Sequence, residues 1–547
     1  SVYNNIAIWN YEIILPVVCV CYANNFHRIA FVVLLLKILP LAKNILKKYI
    51  KAILVILGVL LVLVIGANYY AKLQLKKALS EVSAKNDFSY ETLDVNVLLG
   101  KVSIDNVSFK SKSFELESPS IKLKGFGYWY YITSKDVSVS TLQIDAPKLK
   151  VIKGAEKDTV TSTKNQSFEG DVSIGNIKTS NGYLDVINEG DEKNISIKLS
   201  NINLKSFKTS QEILKNGLPF NYKSLSGSLD SVYVKMNFYQ DLKVQSIKIE
   251  DNNFNVNNLS ITPKYERAEF QNVIPYEKDL ITLNVPELKL NDLKIDTLND
   301  KLSLKTPSIV VVNADCNIYR DKTHTDDVRI KPMYSEMLRN LNFGLDINTL
   351  EIQSSKLVYE ERAEGTKKIG KVLLENLNAT IKDINNTSKN DGGKLTTANI
   401  STNFMGTSQL NVNWQFDINN LNDTFNIKGE AKQVSADAMN MFFVPAVNVK
   451  AIGTLNELYF NYSGDKNDAL GDMRIDYSTF KVEVLRKDGS SENRLLSGIV
   501  NLFLDNNEKD GRVTKQDVSV TRDKTKSIWN YFWLCIRNGA LQSLTKS

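Results

Sequence analysis

From Val102 onward the apolar residues recur at every second position: Val102 and Ile104, Val107 and Phe109, Phe114 and Leu116, Ile121 and Leu123, Val137 and Val139, Leu142 and Ile144. A period of two puts each set on one face of an extended backbone, with Lys, Ser, Asp and Asn on the other, so this part of the chain reads as strands. The runs are short and end in Ser, Asn, Asp, Gly or Pro, the residues that punctuate strands. The phase also slips. Ile195, Ile197 and Leu199 are odd-numbered, whereas Ile202 and Leu204 are even; a slip of one residue predicts a bulge or tight turn, which twists and bends a sheet. Pro119, Pro147, Pro286 and Pro307 each precede an apolar alternation and are expected as first residues of strands, where no ladder donor is required.

A second regularity is a match at a displacement of 175 residues. Asp171-Val172 matches Asp346-Ile347, Ile177 matches Ile352, Ser180 matches Ser355, and Leu199, Asn201 and Asn203 match Leu374, Asn376 and Asn378. A fixed register over more than thirty residues is read as two related β modules. The polar stretches 154–171, 320–331 and 385–394 are expected as loops.

The apolar run at residues 52–67 has no charged or hydrogen-bonding side chain. From Tyr49 to Tyr70 a helix would span roughly 30 Å, the thickness of a hydrocarbon core. Lys43, Lys47, Lys48 and Lys51 precede the run, and Lys72, Lys76 and Lys77 follow it. Tyr49, Tyr69 and Tyr70 fall where interfacial rings belong. The run is too long for the core of a cleaved signal and lacks a convincing small-x-small exit, so a retained anchor is expected. Residues 1–48 hold two shorter apolar runs, neither a confident span, so the number of crossings stays open. After the anchor, residues 73–84 fit a short amphipathic helix.

Three further helices are expected. Residues 332–341 begin with Pro332; Ser435 is placed to cap residues 436–443 before Pro445 stops them; and residues 526–547 form an amphipathic helix with Ile528, Phe532, Cys535, Ile536 and Leu544 on one side. The glycines of Gly125-Phe-Gly127, with their following aromatic run, are expected as a turn.

The composition limits the chemistry. Hydrophobic residues make up 43% and charged residues 24%, with only 11 prolines, so the chain folds. The net charge of +7 comes from lysines spread along alternating strands, a solvated face with no nucleic-acid partner. His27 and His324 are the only histidines, which disfavours histidine triads and multi-histidine metal sites. His324, beside Asp326 and Asp327, is expected in an exposed loop. Cys19, Cys21, Cys316 and Cys535 are too scattered for a disulfide framework or a zinc site. No carboxylate is marked by a Gly-rich turn or a histidine partner, so no catalytic, cofactor or metal residue is expected.

Three stretches carry a family resemblance: the anchor followed by residues 99–107 (LGKVSIDNV), residues 334–343 leading into 350–361, and residues 469–477 with 482–485 running on to the Trp/Phe-rich end. Together they resemble the AsmA-like proteins of Gram-negative envelopes, in particular the Bacteroidetes versions. The resemblance implies a β-rich periplasmic body tethered to the inner membrane by a single pass. It further implies the same broad class as TamB-like and chorein-type bridge proteins, whose curved sheets hold acyl chains.

The expected fold is mainly β: an N-terminal transmembrane helix, then an elongated, curved antiparallel β-sheet groove or repeated β modules with a few short helices. The division is 1–48 leader, 49–71 anchor, 72–170 first β segment after a linker helix, 171–345 and 346–525 the two modules, and 526–547 the terminal helix. The expected function is non-enzymatic: shielding or transferring phospholipid between membranes, or supporting outer-membrane biogenesis, with membrane lipid and other envelope proteins as partners. Ile202, Leu204, Leu288, Leu290, Phe442 and Phe443 are expected to face lipid; Trp529 and Trp533 join Tyr49, Tyr69 and Tyr70 as interface residues. Met439, Phe442 and Phe443 on the helix after Ser435 read first as a plug packed onto the sheet and second as a lipid-touching gate, since buried aromatics are usually core. The alternative is a structural or adhesive β-sandwich without lipid cargo.

Overall fold

The computed structural model describes residues 73, 76, 77, 79, 80 and 83, then 87–97, 99–153, 170–188, 192–215, 218–298, 301–363, 368–387, 394–485 and 510–544. The expected anchor at 52–67, Tyr49, Tyr69, Tyr70 and the leader lie outside them. Among the described residues no helix is long and apolar enough to cross a membrane.

Among the described residues all the strands belong to one sheet. The first group is β1 (Asp87–Ser89), β2 (Thr92–Asn96), β3 (Lys101–Lys110), β4 (Phe114–Phe126), β5 (Val137–Asp145), β6 (Lys148–Lys153), β7 (Val172–Asn188), β8 (Lys193–Thr209) and β9 (Ser224–Lys235). The middle group is β10 (Gln240–Glu250), β11 (Asn253–Pro263), β12 (Asp279–Asn291), β13 (Lys294–Leu298), β14 (Lys301–Val312), β15 (Asp315–Asp321), β16 (Gly344–Arg362) and β17 (Ile369–Asn385). The last is β18 (Thr396–Phe404), β19 (Ser408–Phe416), β20 (Phe425–Ser435), β21 (Val449–Gly464), β22 (Asp468–Val484) and β23 (Asp510–Thr521). Among the described residues five α-helices punctuate them: α1 (Tyr128–Ser134), α2 (Arg267–Val273), α3 (Tyr334–Arg339), α4 (Ala436–Val447) and α5 (Ile528–Leu544). Residues 73, 76, 77, 79, 80 and 83 are also helical, and Leu79 joins the core.

The sheet is mixed, which corrects the antiparallel expectation. β5 and β6 together lie parallel to β7, and β14 and β15 together lie parallel to β16; the remaining pairings are antiparallel. Alternation reports which face a residue takes and carries no information on strand direction. The two stretches related by the 175-residue displacement are the long hairpins β7–β8 and β16–β17, each entered from a broken strand running parallel to it.

From β3 to β18 most of the strands are interrupted at one level; the short β13 is continuous. The ladder skips Asn106 against Pro119, Asn181 against Ser200, Gln245 against Asn258, and Asn258 against Pro286, and it breaks between β5 and β6 and between β14 and β15. Along this line Asn106, Ala146, Asn181, Asn258, Asn313, Ser354 and Asn376 have φ between 41° and 53°, the left-handed region in which short polar residues are the commonest non-glycines. An extra residue in a strand bends it and reverses its phase. Repeated across neighbouring strands, the bulges form a crease, and each strand keeps its apolar side inward on both sides of it. Leu242 and Val244 lead to Ile247 and Ile249; Phe254 and Val256 lead to Leu259 and Ile261; all are buried. The slip expected between Leu199 and Ile202 is one member of this line, with register shifts on either side of Leu199.

The crease also corrects the reading of the prolines. Pro119 and Pro286 sit inside β4 and β12 at skipped positions, and Pro307 sits inside β14 where its pairing with β16 is skipped. A bulge, like a strand start, asks for no ladder donor. Only Pro147 directly precedes a strand. Pro445 does not stop α4, which continues to Val447 and ends at Asn448 with φ 57°. Two residues from the helix end, proline forfeits a single backbone bond. Ser435 stands at the N-cap of α4 without a side-chain capping bond. The aromatic run after Gly127 is helical and forms α1.

Candidate functional site

On the inner side of the sheet, cross-strand partners line up into apolar rungs that run perpendicular to the strands. One passes through Leu93, Ile104, Ile121 and Ile144, then Thr179, Ile202 and Gly227. It continues through Ile249, Phe254, Leu290, Ile309 and Leu350. Ile381, Ala398, Trp414, Ile427 and Tyr462 carry it to β21. At ~4.8 Å between strands this stripe is roughly 80 Å long, interrupted only by Thr179 and Gly227. A second rung lies across the crease: Leu149, Leu184, Ile197 and Val232. The two walls share one continuous core.

The stripe is not equally covered along its length. In its middle, Val256, Leu288 and Val311 are 0% exposed and Leu290 is 1% exposed, so neighbouring side chains already fill the space. Toward the N-terminal part, Ile144, Leu149, Ile177, Leu184, Ile202, Leu204, Leu225 and Leu229 point to the same side but are only partly buried. Leu204 pairs with both Ile177 and Leu225, so these positions form one contiguous apolar floor from β5 to β9. Of the residues expected to face lipid, Ile202 and Leu204 lie on this floor, whereas Leu288 and Leu290 lie in the sealed middle.

The C-terminal part is closed by helices and a strap. Residues 322–343 lead from the end of β15 back to the start of β16, and Met333, Tyr334, Leu338, Leu341 and Phe343 add their side chains to the inner core. Arg339 fastens the strap to the β19–β20 loop: its guanidinium donates to the carbonyls of Ile418 (2.7 Å) and Asn420 (2.8 Å) and pairs with Asp423 at 2.9 Å. α5 lies directly on the inner face. Tyr462 donates to the Cys535 carbonyl at 2.8 Å, and a methyl group at Gly539 would collide with Tyr462 and Met473.

Rings finish the closure. Trp529 packs 5.8 Å from Tyr334, 5.7 Å from Phe532 and 6.3 Å from Trp414. Trp533 packs on Phe442 and Phe443 of α4 at 6.2 and 6.3 Å, and Phe442 lies over Gly370 of β17. Trp529 and Trp533 thus each pack within the molecule, in two separate groups of rings. Burial pushes the Cys535 thiol up to about 12 and raises the Tyr462 and Tyr531 phenols, so these groups beneath α5 are uncharged at neutral pH.

Charges gather at the rim. Arg320 pairs with Asp279 at 2.6 Å, Arg362 with Asp321 at 3.2 Å and Lys322 with Glu361 at 2.9 Å. Burial raises the Asp321 carboxyl, but bonds from Thr323 and the charge of Arg362 hold it below its usual range. Near His324, Asp326 is taken by Lys526 and Asp327 by Arg329 and Lys331. Among the described residues no cluster of His, Cys, Asp and Glu is arranged to hold a metal ion.

Sequence reasoning missed the floor residues Ile144, Ile177, Leu184 and Leu225, because only the register shows them to be neighbours of Ile202 and Leu204. It also missed the role of residues 322–343, whose apolar part, Met333 to Phe343, follows a polar stretch. A comparison with family models finds no match, and none of the curated proteins compared matches the chain.

Proposed function

We propose that this chain is a membrane-anchored, AsmA-like envelope protein without catalytic activity, whose inner face shields phospholipid acyl chains in transfer between membranes or in outer-membrane biogenesis. The reading places the body in the periplasm and the anchor at residues 52–67 in the inner membrane. The observation that carries it is the partly uncovered apolar floor from β5 to β9 within a continuous apolar stripe. Half-buried apolar side chains lined up on one face leave a surface that an apolar ligand can cover. The floor spans roughly 15 Å across the strands, and an acyl chain of about sixteen carbons gains on the order of 12 kcal/mol by leaving water at about 0.8 kcal/mol per methylene. Such a trough holds its cargo by burial alone and requires no reactive group.

A second reading, a structural β-protein without cargo, draws on the complete burial of Leu288 and Leu290. Lipid mass spectrometry on the full chain purified in mild detergent separates the two. The trough reading expects co-purifying phospholipid that is lost in Ile202→Asp while the folded content is kept. A chain that carries no phospholipid, or an Ile202→Asp chain that carries as much as wild type, defeats it.

A further inference from the structure

α1 carries an aromatic patch that the trough does not use. Its sequence, Tyr128-Trp-Tyr-Tyr-Ile132, divides between two faces. Tyr128 donates its hydroxyl to the Val97 carbonyl and packs edge-on to Phe126 at 5.2 Å, and Tyr131 lies 6.2 Å from Phe126, so these two rings fix the helix to the sheet. The other face is bare: Trp129 is 74% exposed, Tyr130 58% and Ile132 60%, and Leu99 in the adjacent turn is 58% exposed. Folding gains nothing from presenting an indole, a phenol and two aliphatic side chains to water on one short helix, and such a cluster marks a contact surface.

The composition and position of the patch indicate its partner. Trp and Tyr have an apolar body and a polar edge, which suits the boundary between lipid headgroups and acyl chains. Lys101, Lys124 and Lys135 are exposed close to it in sequence and pairing, a favourable arrangement beside anionic headgroups. Leu79, in the helical stretch that precedes β1, is 2% exposed and shares the core of Phe88 and Leu93. The anchor and β1 are joined by residues 68–86 alone, which keeps the body close to a bilayer entered by residues 52–67. α1 stands at the Lys101 end of β3, where the Phe126 N–H donates to the Gly100 carbonyl.

We propose that α1 is an interfacial foot: Trp129, Tyr130 and Ile132, with Leu99, insert at headgroup depth into the bilayer that holds the anchor and orient the trough relative to that surface. The proposal rests on residues 52–67 being a membrane span.

The test uses the full chain in vesicles of phosphatidylethanolamine and phosphatidylglycerol, with and without bromine on the acyl chains. Subtracting the emission of Trp129→Phe from that of wild type isolates Trp129 from the other tryptophans, and matching thermal unfolding shows that the exposed substitution leaves the fold intact. The expected result is that the difference emission is lost in brominated vesicles and protected from acrylamide. If it remains open to acrylamide while the chain resists carbonate extraction, the anchor stands and the foot is refuted. Protection from both quenchers means that protein, including a second copy of the chain, covers the patch, which also refutes it. A chain released by carbonate removes the anchor reading and the foot with it.

Discussion

Deleting Asn258 tests the crease directly. Asn258, with φ 49°, is the skipped residue of β11, opposite Gln245 on one side and Pro286 on the other. Without it the strand has a single phase, so Leu259 and Ile261 turn outward when Phe254 and Val256 stay inward, and Ser260 and Thr262 take their places. Leu259 and Ile261 are 0% and 1% exposed, and losing burial of two such side chains costs about 3–6 kcal/mol. Each hydroxyl buried without a partner adds about 1–3 kcal/mol. The sum is a large part of the roughly 5–15 kcal/mol by which a domain is stable. Asn258→Gly keeps the bulge and accommodates its positive φ, so its effect stays within about 1 kcal/mol. Urea unfolding of the full chain in detergent, followed by tryptophan emission and far-ultraviolet circular dichroism, measures both. A deletion variant with the wild-type midpoint would refute the phase argument, since nothing would then depend on the extra residue.

Leu290→Ala should destabilise by about 2–5 kcal/mol because it opens a cavity in the sealed middle, whereas Leu204→Ala on the partly uncovered floor should cost about 1 kcal/mol; equal losses in urea unfolding would contradict the difference drawn between the two regions. The strap should respond to acid. Burial raises the Asp327 carboxyl, but the bonds from Arg329 and Lys331 outweigh it and hold its pKa well below the usual range, so its contribution is complete above about pH 4 and is lost as the pH falls below that value. Protection factors for amide exchange over residues 322–333, referred to the intrinsic rate at each pH, should therefore fall as the pH is lowered from about 4 toward 2 (below an unfolded carboxyl near 4), and Asp327→Asn should abolish the change; protection indifferent to pH in both proteins overturns this.

Much of the sheet was legible because burial imposes a period of two, and a phase slip such as that between Leu199 and Ile202 is the one-dimensional trace of a bulge. Strand direction leaves no such trace, so the parallel entries into β7 and β16 were hidden. Prolines were misplaced because Pro119 and Pro286 satisfy at a bulge the same condition they would satisfy at a strand start: no donor is needed. Pro445 shows how little one proline costs in a helix's last turn. The residues of the candidate site were legible in type and only partly in place. Ile202 and Leu290 look alike in sequence, and what separates the open floor from the sealed middle is packing between residues distant in the chain, which alternation does not report.

The proposal of a lipid-bearing trough is tested most directly by photocrosslinking in native membranes with benzoylphenylalanine placed at Ile202, which faces the floor, and at Asn203, which faces the opposite side of β8. The predicted result is a phospholipid adduct at 202 and none at 203. Absence of lipid at 202, or equal adducts at both positions, would contradict it.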